Sequence, residues 1–322
     1  MLEWVYVTNR LVIDDIFPHS YSNYDHCSAG LIMLEGNLLG NLVNAKELLT
    51  QDSLILRQSV VRLTLHEIGH TLGLNHNFKA SFLNDPIAVH DIKITREKGI
   101  TSSVMEYPAI NLAPIGTEQG DYYDTFPGPY DEWAIEFGYK PSVSAEERVN
   151  VLSRSSEPAL MFGNDADDMR APGKGVDPRA MTNDLSSEPI KYSKQRIELV
   201  NKTMQDLPKN LSSATSWEEY RNAYEILTRE TGRALETISR YIGGVYVNRS
   251  IPSQRSSSQP FEPVPLEVQK EAMRVLTEYA FSPRAFPVKA EVARLLQKER
   301  RGFDFYKEHE DLLITSLFLL LM

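Results

Sequence analysis

The stretch from His66 to His76 constrains the chain more than any other, because it follows the pattern H-E-x-x-H-x-x-G-x-x-H. Histidines four residues apart on a helix project from one face, so His66 and His70 can reach the same metal ion. Glu67 lies beside them without having to bind the metal. Gly73 tolerates the left-handed conformation that ends a helix, which lets the chain turn back and bring His76 to the same ion. Three neutral imidazoles leave one tetrahedral position open, which is typical of a catalytic zinc site.

The residues around the motif predict a helix over residues 54–73. Its apolar residues recur at helical spacing and form a single stripe: Val61, Leu65, Ile68 and Leu72. At about 100° per residue, the histidines lie on a different face of the helix from this stripe. We therefore expect the stripe to pack on a core while the histidine side forms the floor of a cleft.

Composition limits the class of protein. The chain has 322 residues, of which 42% are hydrophobic and 24% charged, so it is long enough to bury a sizeable core. Its formal net charge is −10, and no basic run stands out, so we expect no nucleic-acid partner. No apolar run is long enough to span a bilayer. The single cysteine, Cys27, cannot form an internal disulfide.

The two ends of the chain resemble interior sequence. Residues 2–7 have the character of a strand and lack the features of a signal peptide. The last eleven residues, 312–322, are almost wholly apolar. We therefore expect a fragment of a longer protein, or a terminal helix whose packing partner is missing.

Two stretches rich in acidic residues offer the oxygen ligands that Ca²⁺ prefers, residues 163–168 and 177–184. Neither has the spacing of an EF-hand loop, so we favour solvated acidic loops over a calcium site. Glu97 and Glu106 are alternative candidates for a zinc ligand. Neither lies in a helical ligand motif, and His76 makes a glutamate ligand unnecessary.

A second motif, S-S-V-M-E-Y-P at residues 102–108, follows the histidines. HEIGHTLGLNH together with SVMEY resembles the metzincin clan of zinc endopeptidases, in which a tight turn containing methionine lies beneath the metal. With NFKAS after the histidines and YDEWAIEFGY at residues 130–139, the chain is similar to one bacterial metzincin family of zinc-dependent metalloproteases. The resemblance is strongest over residues 55–140 and weaker to about residue 300.

This resemblance implies roles for individual residues. The ligands of one Zn²⁺ would be His66, His70 and His76. Glu67 would be the general base, Met105 the methionine of the turn, and Gly73 a structural support of the site. In some metzincins a tyrosine two residues after that methionine approaches the zinc, and Tyr107 matches this position. The resemblance also implies a protein or peptide substrate and a secreted or periplasmic location.

The fold class that we expect is α+β. A metzincin-like catalytic domain would cover residues 1–187, with a small mixed sheet packed on the zinc-binding helix, and a mainly helical region would cover residues 188–322. Strand-like sequence at residues 29–34 makes residues 29–38 a candidate sheet edge for an extended substrate. The expected function is hydrolysis of peptide bonds by a zinc-activated water, with Glu67 as base. The alternative is a zinc-containing binding or structural protein without turnover.

Overall fold

A computed structural model describes residues 29–44, 53–141, 144–168, 175–212, 214, 216–252, 254, 258–283, 285–286 and 288–296. In chain order, its helices and strands are α1 (Ala29–Val43), α2 (Ser53–Thr71), α3 (Ile92–Lys98), α4 (Pro129–Tyr139), α5 (Ala145–Ser153), α6 (Pro189–Asn210), α7 (Trp217–Ser239), β1 (Val245–Val247), β2 (Phe261–Pro263), α8 (Leu266–Tyr279) and α9 (Ala290–Ala293). The predicted strand at residues 2–7, Cys27 and the apolar segment 312–322 lie outside the described residues.

Helix α1 replaces the strand predicted at residues 29–34, and with it the proposed sheet edge at residues 29–38, so both predictions were wrong. Its buried residues include a set at i, i+4, i+7 and i+11: Ala29, Met33, Gly36 and Gly40. This is the period of a helix, whereas a half-buried strand would bury every second residue. The two glycines let α1 approach Ile110 closely, since a Cβ on Gly40 would lie 3.1 Å from Ile110 Cδ1.

Helix α2 covers nearly the predicted range, but the predicted buried face was wrong. Ile68 and Leu72 are 47% and 40% exposed, so the apolar stripe does not pack on a core as expected. The buried face carries many polar residues: Ile55, Gln58, Ser59, Arg62, His66 and Gly69. Their partners lie far along the chain; Gln58 Oε1, for example, accepts a hydrogen bond from Tyr122 N at 2.7 Å. Periodicity of apolar residues cannot reveal such a polar face.

The described sheet is not where we expected it. It has two antiparallel strands, with Val245 opposite Pro263, and it lies in the helical region, where Tyr246 and Val264 pack in a hydrophobic cluster with residues of α6, α7 and α8. Among the described elements, helix α1 packs against α2, where we expected a sheet. Helices with one small sheet fit an α+β domain, but a sheet on the histidine-bearing helix is not found in the described part of the chain.

One hydrophobic cluster joins the two halves of the chain. It contains Met33, Ile55 and Ile110 together with Leu199 of α6 and Leu227 of α7. Helices α6 and α7, which lie in the region predicted to be mainly helical, also pack against each other. The domain boundary after residue 187 stays a prediction, and a shared core crosses it. None of the described helices is long and apolar enough to cross a membrane.

Candidate metal centre

Three histidines converge at the C-terminal end of α2. His66 and His70 lie one turn apart on the helix, which ends at Thr71. Gly73 then adopts a φ of +85°, the left-handed conformation predicted for it. The chain turns back, and the ligand atoms of His66, His70 and His76 all lie within 4.8 Å of one another. Among the residues that the structure describes, this is the one group of three or more histidine, cysteine or acidic side chains that could hold a metal ion.

Each of the three histidines has its Nδ1 atom engaged outside the common centre. The acceptors are the carbonyl oxygen of Val104 at 2.7 Å for His66, that of Leu74 at 3.1 Å for His70, and the carboxylate of Asp165 at 2.8 Å for His76. This tautomer leaves the Nε2 atoms free of protons. His66 Nε2 is buried without a hydrogen-bond partner, and a metal ion would satisfy this orphaned atom. The donor set therefore fits a zinc ion.

The electrostatics favour neutral imidazole at His66. Burial, reinforced by the Arg62 guanidinium, lowers the pKa of His66 to about 3. A neutral ring is the form that binds a metal, because protonation removes the lone pair from the ligand atom. At neutral pH, His66 is thus ready to bind without first releasing a proton.

The methionine turn, residues 103–107, lies directly beneath the helix. Met105 is fully buried, and a Cβ on Gly69 would collide with its sulfur. The close contact between the turn and α2 therefore requires a residue without a side chain at position 69. Tyr107 follows, with its hydroxyl oxygen 3.0 Å from His76 Nε2, so the phenol reaches the centre where the histidines meet.

Val104 connects this turn to two helices through its backbone N–H and its backbone carbonyl. Its carbonyl oxygen accepts from His66 Nδ1 and also from the buried guanidinium of Arg62. Its N–H donates to Asp131 Oδ2 on α4 at 2.8 Å, and the other oxygen of Asp131 accepts from Ser103 Oγ at 2.5 Å. Helices α2 and α4 thus fix the turn from opposite sides.

Glu106 supports the turn from a buried position and does not join the histidines. Its carboxylate accepts from Ser81 N at 3.1 Å and Tyr107 N at 2.8 Å. Ser81 Oγ donates in turn to Asp184 Oδ2 at 2.9 Å. Burial, together with the charge of Asp184, raises the pKa of Glu106 well above its ordinary value, and burial raises the pKa of Asp184 to about 7.

The acidic stretches are not solvated loops, so this expectation was wrong for several residues. Asp168, Asp177 and Asp184 are 5%, 2% and 1% exposed. Asp177 forms an ion pair with buried Lys79 at 2.7 Å, and Asp165 contacts His76. Asp165 and Asp177 are thus partners of a histidine and a lysine near the site, whereas Asp184 accepts from Ser81 beside the buried Glu106.

Sequence reasoning missed four residues that build the site, namely Arg62, Gly69, Asp131 and Asp165. Two of them carried a signal. A glycine inside a helix costs about 1 kcal/mol relative to alanine, so Gly69 required a packing reason. Arg62, one turn before His66, is a charge on a helix otherwise rich in apolar residues. Nothing in the local sequence marks Asp131, and the acidic stretch that contains Asp165 gives no indication that His76 is its partner. The partners of these two residues lie 27 and 89 residues away.

Comparison with known proteins adds an independent finding. The sequence profile of a family described as Met-zincin matches residues 50–319. Comparison with curated proteins and with solved structures gives no match. The matched range includes the three histidines, the methionine turn and most of the helical region.

Proposed function

The chain belongs to the Met-zincin family of zinc metallopeptidases, and from this membership we propose that it is an endopeptidase with His66, His70 and His76 as zinc ligands and Glu67 as general base. The observation that carries the proposal is the convergence of three imidazole ligand atoms within 4.8 Å. The orphaned Nε2 of His66 supports it, because that buried atom lacks a partner until an ion binds. The substrate of a peptidase is a protein or peptide.

Zinc held at this centre would act as a Lewis acid and lower the pKa of a bound water to about 7. Glu67 follows His66 on α2 and is exposed, so its carboxylate is accessible to water and substrate. We assign it to accept the proton of the attacking water and deliver it to the leaving nitrogen of the scissile peptide. A placed acid–base group of this kind contributes about 10²–10⁴ in rate.

We assign Tyr107 to stabilise the negative charge that develops on the scissile carbonyl oxygen. Its hydroxyl lies 3.0 Å from His76 Nε2, and in the loaded site it would donate a hydrogen bond to the scissile carbonyl oxygen as that atom gains charge. Met105 forms no bond to substrate in this mechanism. It fills the space beneath α2 and fixes the floor of the centre.

The test compares wild type with Glu67→Gln and His76→Ala, using zinc content and cleavage of fluorescent casein. We expect about one zinc per chain in wild type and in Glu67→Gln. Hydrolysis by Glu67→Gln should fall by about 10²–10⁴, and His76→Ala should lose zinc and activity together. Bound zinc without any hydrolysis in wild type would favour the rival function, a zinc-containing binding protein without turnover.

A further inference from the structure

We propose that Asp165 is a positioning residue that holds His76 as a metal ligand, an inference that rests on the zinc site proposed above. The three histidines differ in what their Nδ1 atoms contact. His66 and His70 contact neutral backbone carbonyls, whereas His76 contacts the carboxylate of Asp165 at 2.8 Å. The third histidine is therefore the one with a charged partner.

His76 needs such a partner because no helix holds it. His66 and His70 are fixed by α2, but His76 lies beyond the helix end, in a segment without regular structure. Its ring stacks on Phe78 with the centroids 5.2 Å apart. Stacking restrains the ring plane but does not choose which nitrogen faces the metal. The hydrogen bond to Asp165 makes that choice, because it requires the proton on Nδ1 and so directs the Nε2 lone pair toward the centre.

The loop that carries Asp165 is attached to the segment that carries His76. Phe78 N donates to Gly163 O at 2.7 Å, and Asn77 Nδ2 donates to Met161 O at 3.0 Å. These bonds start one residue after His76, so the loop is hydrogen-bonded to the segment that directly follows the histidine. The attachment of this loop thus brings Asp165 next to His76, although the two residues are 89 positions apart in sequence.

A carboxylate acceptor also makes the imidazole a stronger ligand. A hydrogen bond to a charged acceptor is about twice as strong as one to a neutral acceptor, and it raises the basicity of the opposite ring nitrogen. Removing such partners of metal-binding histidines weakens metal binding by about 10–100-fold. The side chain of Asp165 is 37% exposed, so water screens part of its charge, and orientation of the ring carries most of the effect.

The experiment measures zinc affinity by chelator competition for wild type, Asp165→Asn and Asp165→Ala. We expect Asp165→Ala to bind zinc about 10–100-fold more weakly and Asp165→Asn to lie between the two, since the amide oxygen still accepts from Nδ1. Asp167→Asn is the matched control. Asp167 lies on the same loop and pairs with Arg249 at 2.5 Å, so its loss disturbs the loop without touching His76, and zinc affinity should change less than twofold.

A second readout separates positioning from general support of the structure. In the metal-free protein, ¹⁵N NMR of the histidine rings should place the His76 proton on Nδ1 in wild type and shift it toward Nε2 in Asp165→Ala. The inference fails if Asp165→Ala binds zinc within twofold of wild type, or if Asp167→Asn weakens binding as much as Asp165→Asn. Wild type that binds no zinc at all would instead overturn the proposed function.

Discussion

Gly69 is the residue that sets the distance between the histidine-bearing helix and the methionine turn. A Cβ at this position would overlap the sulfur of Met105, which is fully buried. Replacing glycine by alanine inside a helix normally stabilises it by about 1 kcal/mol. We expect the opposite for Gly69→Ala, a loss of about 1–3 kcal/mol in unfolding free energy, because overpacking forces the core to shift. Unfolding in urea measures the change.

Gly138 on α4 provides the matched comparison. A Cβ there would meet no atom within 4 Å, so Gly138→Ala should leave unfolding free energy unchanged or raise it by up to about 1 kcal/mol. If Gly69→Ala proved as harmless as Gly138→Ala, the close contact with Met105 would not be a constraint on the fold.

At the scale of elements, Arg62 joins α2 to the methionine turn. Its side chain is fully buried and donates to the carbonyl oxygens of Val104 and, at 2.9 Å, Glu106. Arg62→Met keeps the apolar stem but removes the donor to the Glu106 carbonyl and one of the two donors to the Val104 carbonyl. It also removes the positive charge that acts on the buried carboxylates of Asp124 and Asp131. We expect a loss of about 3–5 kcal/mol, as for other buried charges whose partner is removed, together with weaker zinc binding.

The control for this substitution is Arg57→Met on the exposed side of the same helix. Exposed charges contribute little, so unfolding free energy should change by no more than about 0.5 kcal/mol. Equal losses for the two variants in chemical denaturation would mean that loss of charge from α2, rather than loss of the turn, is responsible.

The same elements explain what could be predicted from sequence. The range of α2 and the turn at Gly73 are set by local spacing and by the conformational freedom of glycine, and both are present. The prediction of which face α2 buries was wrong, because the polar side chains on the buried face find hydrogen-bond partners far along the chain, which local sequence does not show. Helix α1 was mistaken for a strand, since a short apolar run gives no clear period until its packing partner is known.

At the scale of the whole molecule, Asp184 joins the methionine turn to the chain that leads into α6. Its backbone oxygen accepts from Ala109 N at 3.2 Å, and Asn183 N donates to Tyr107 O at 2.9 Å. Its carboxylate lies in the buried pair with Glu106, near Arg62 and Asp168, whose charges also act on the pair. Two acids in one buried site cannot both ionise without repulsion, so the folded protein retains protons there.

This retention makes stability depend on pH. Burial raises the pKa of Asp184 to about 7, whereas an aspartate in an unfolded chain titrates near 3.9. The stability that the retained proton contributes is therefore complete below about pH 4 and is lost as the pH rises to about 7. For one proton the slope is about 1.4 kcal/mol per pH unit. We expect wild type to lose stability relative to Asp184→Asn between pH 5 and 7, measured by urea unfolding at each pH.

Asp85 supplies the control for this pH experiment because its shift has the opposite sign. Hydrogen bonds from the backbone of Ala88 and Ile87 lower the pKa of Asp85, so its proton is already gone above pH 5 in both folded and unfolded chains. Asp85→Asn should therefore leave the slope between pH 5 and 7 unchanged. Parallel pH profiles for wild type and Asp184→Asn would show that Asp184 is ionised in the folded protein, and that the hydrogen bond from Ser81 stabilises its charge despite burial.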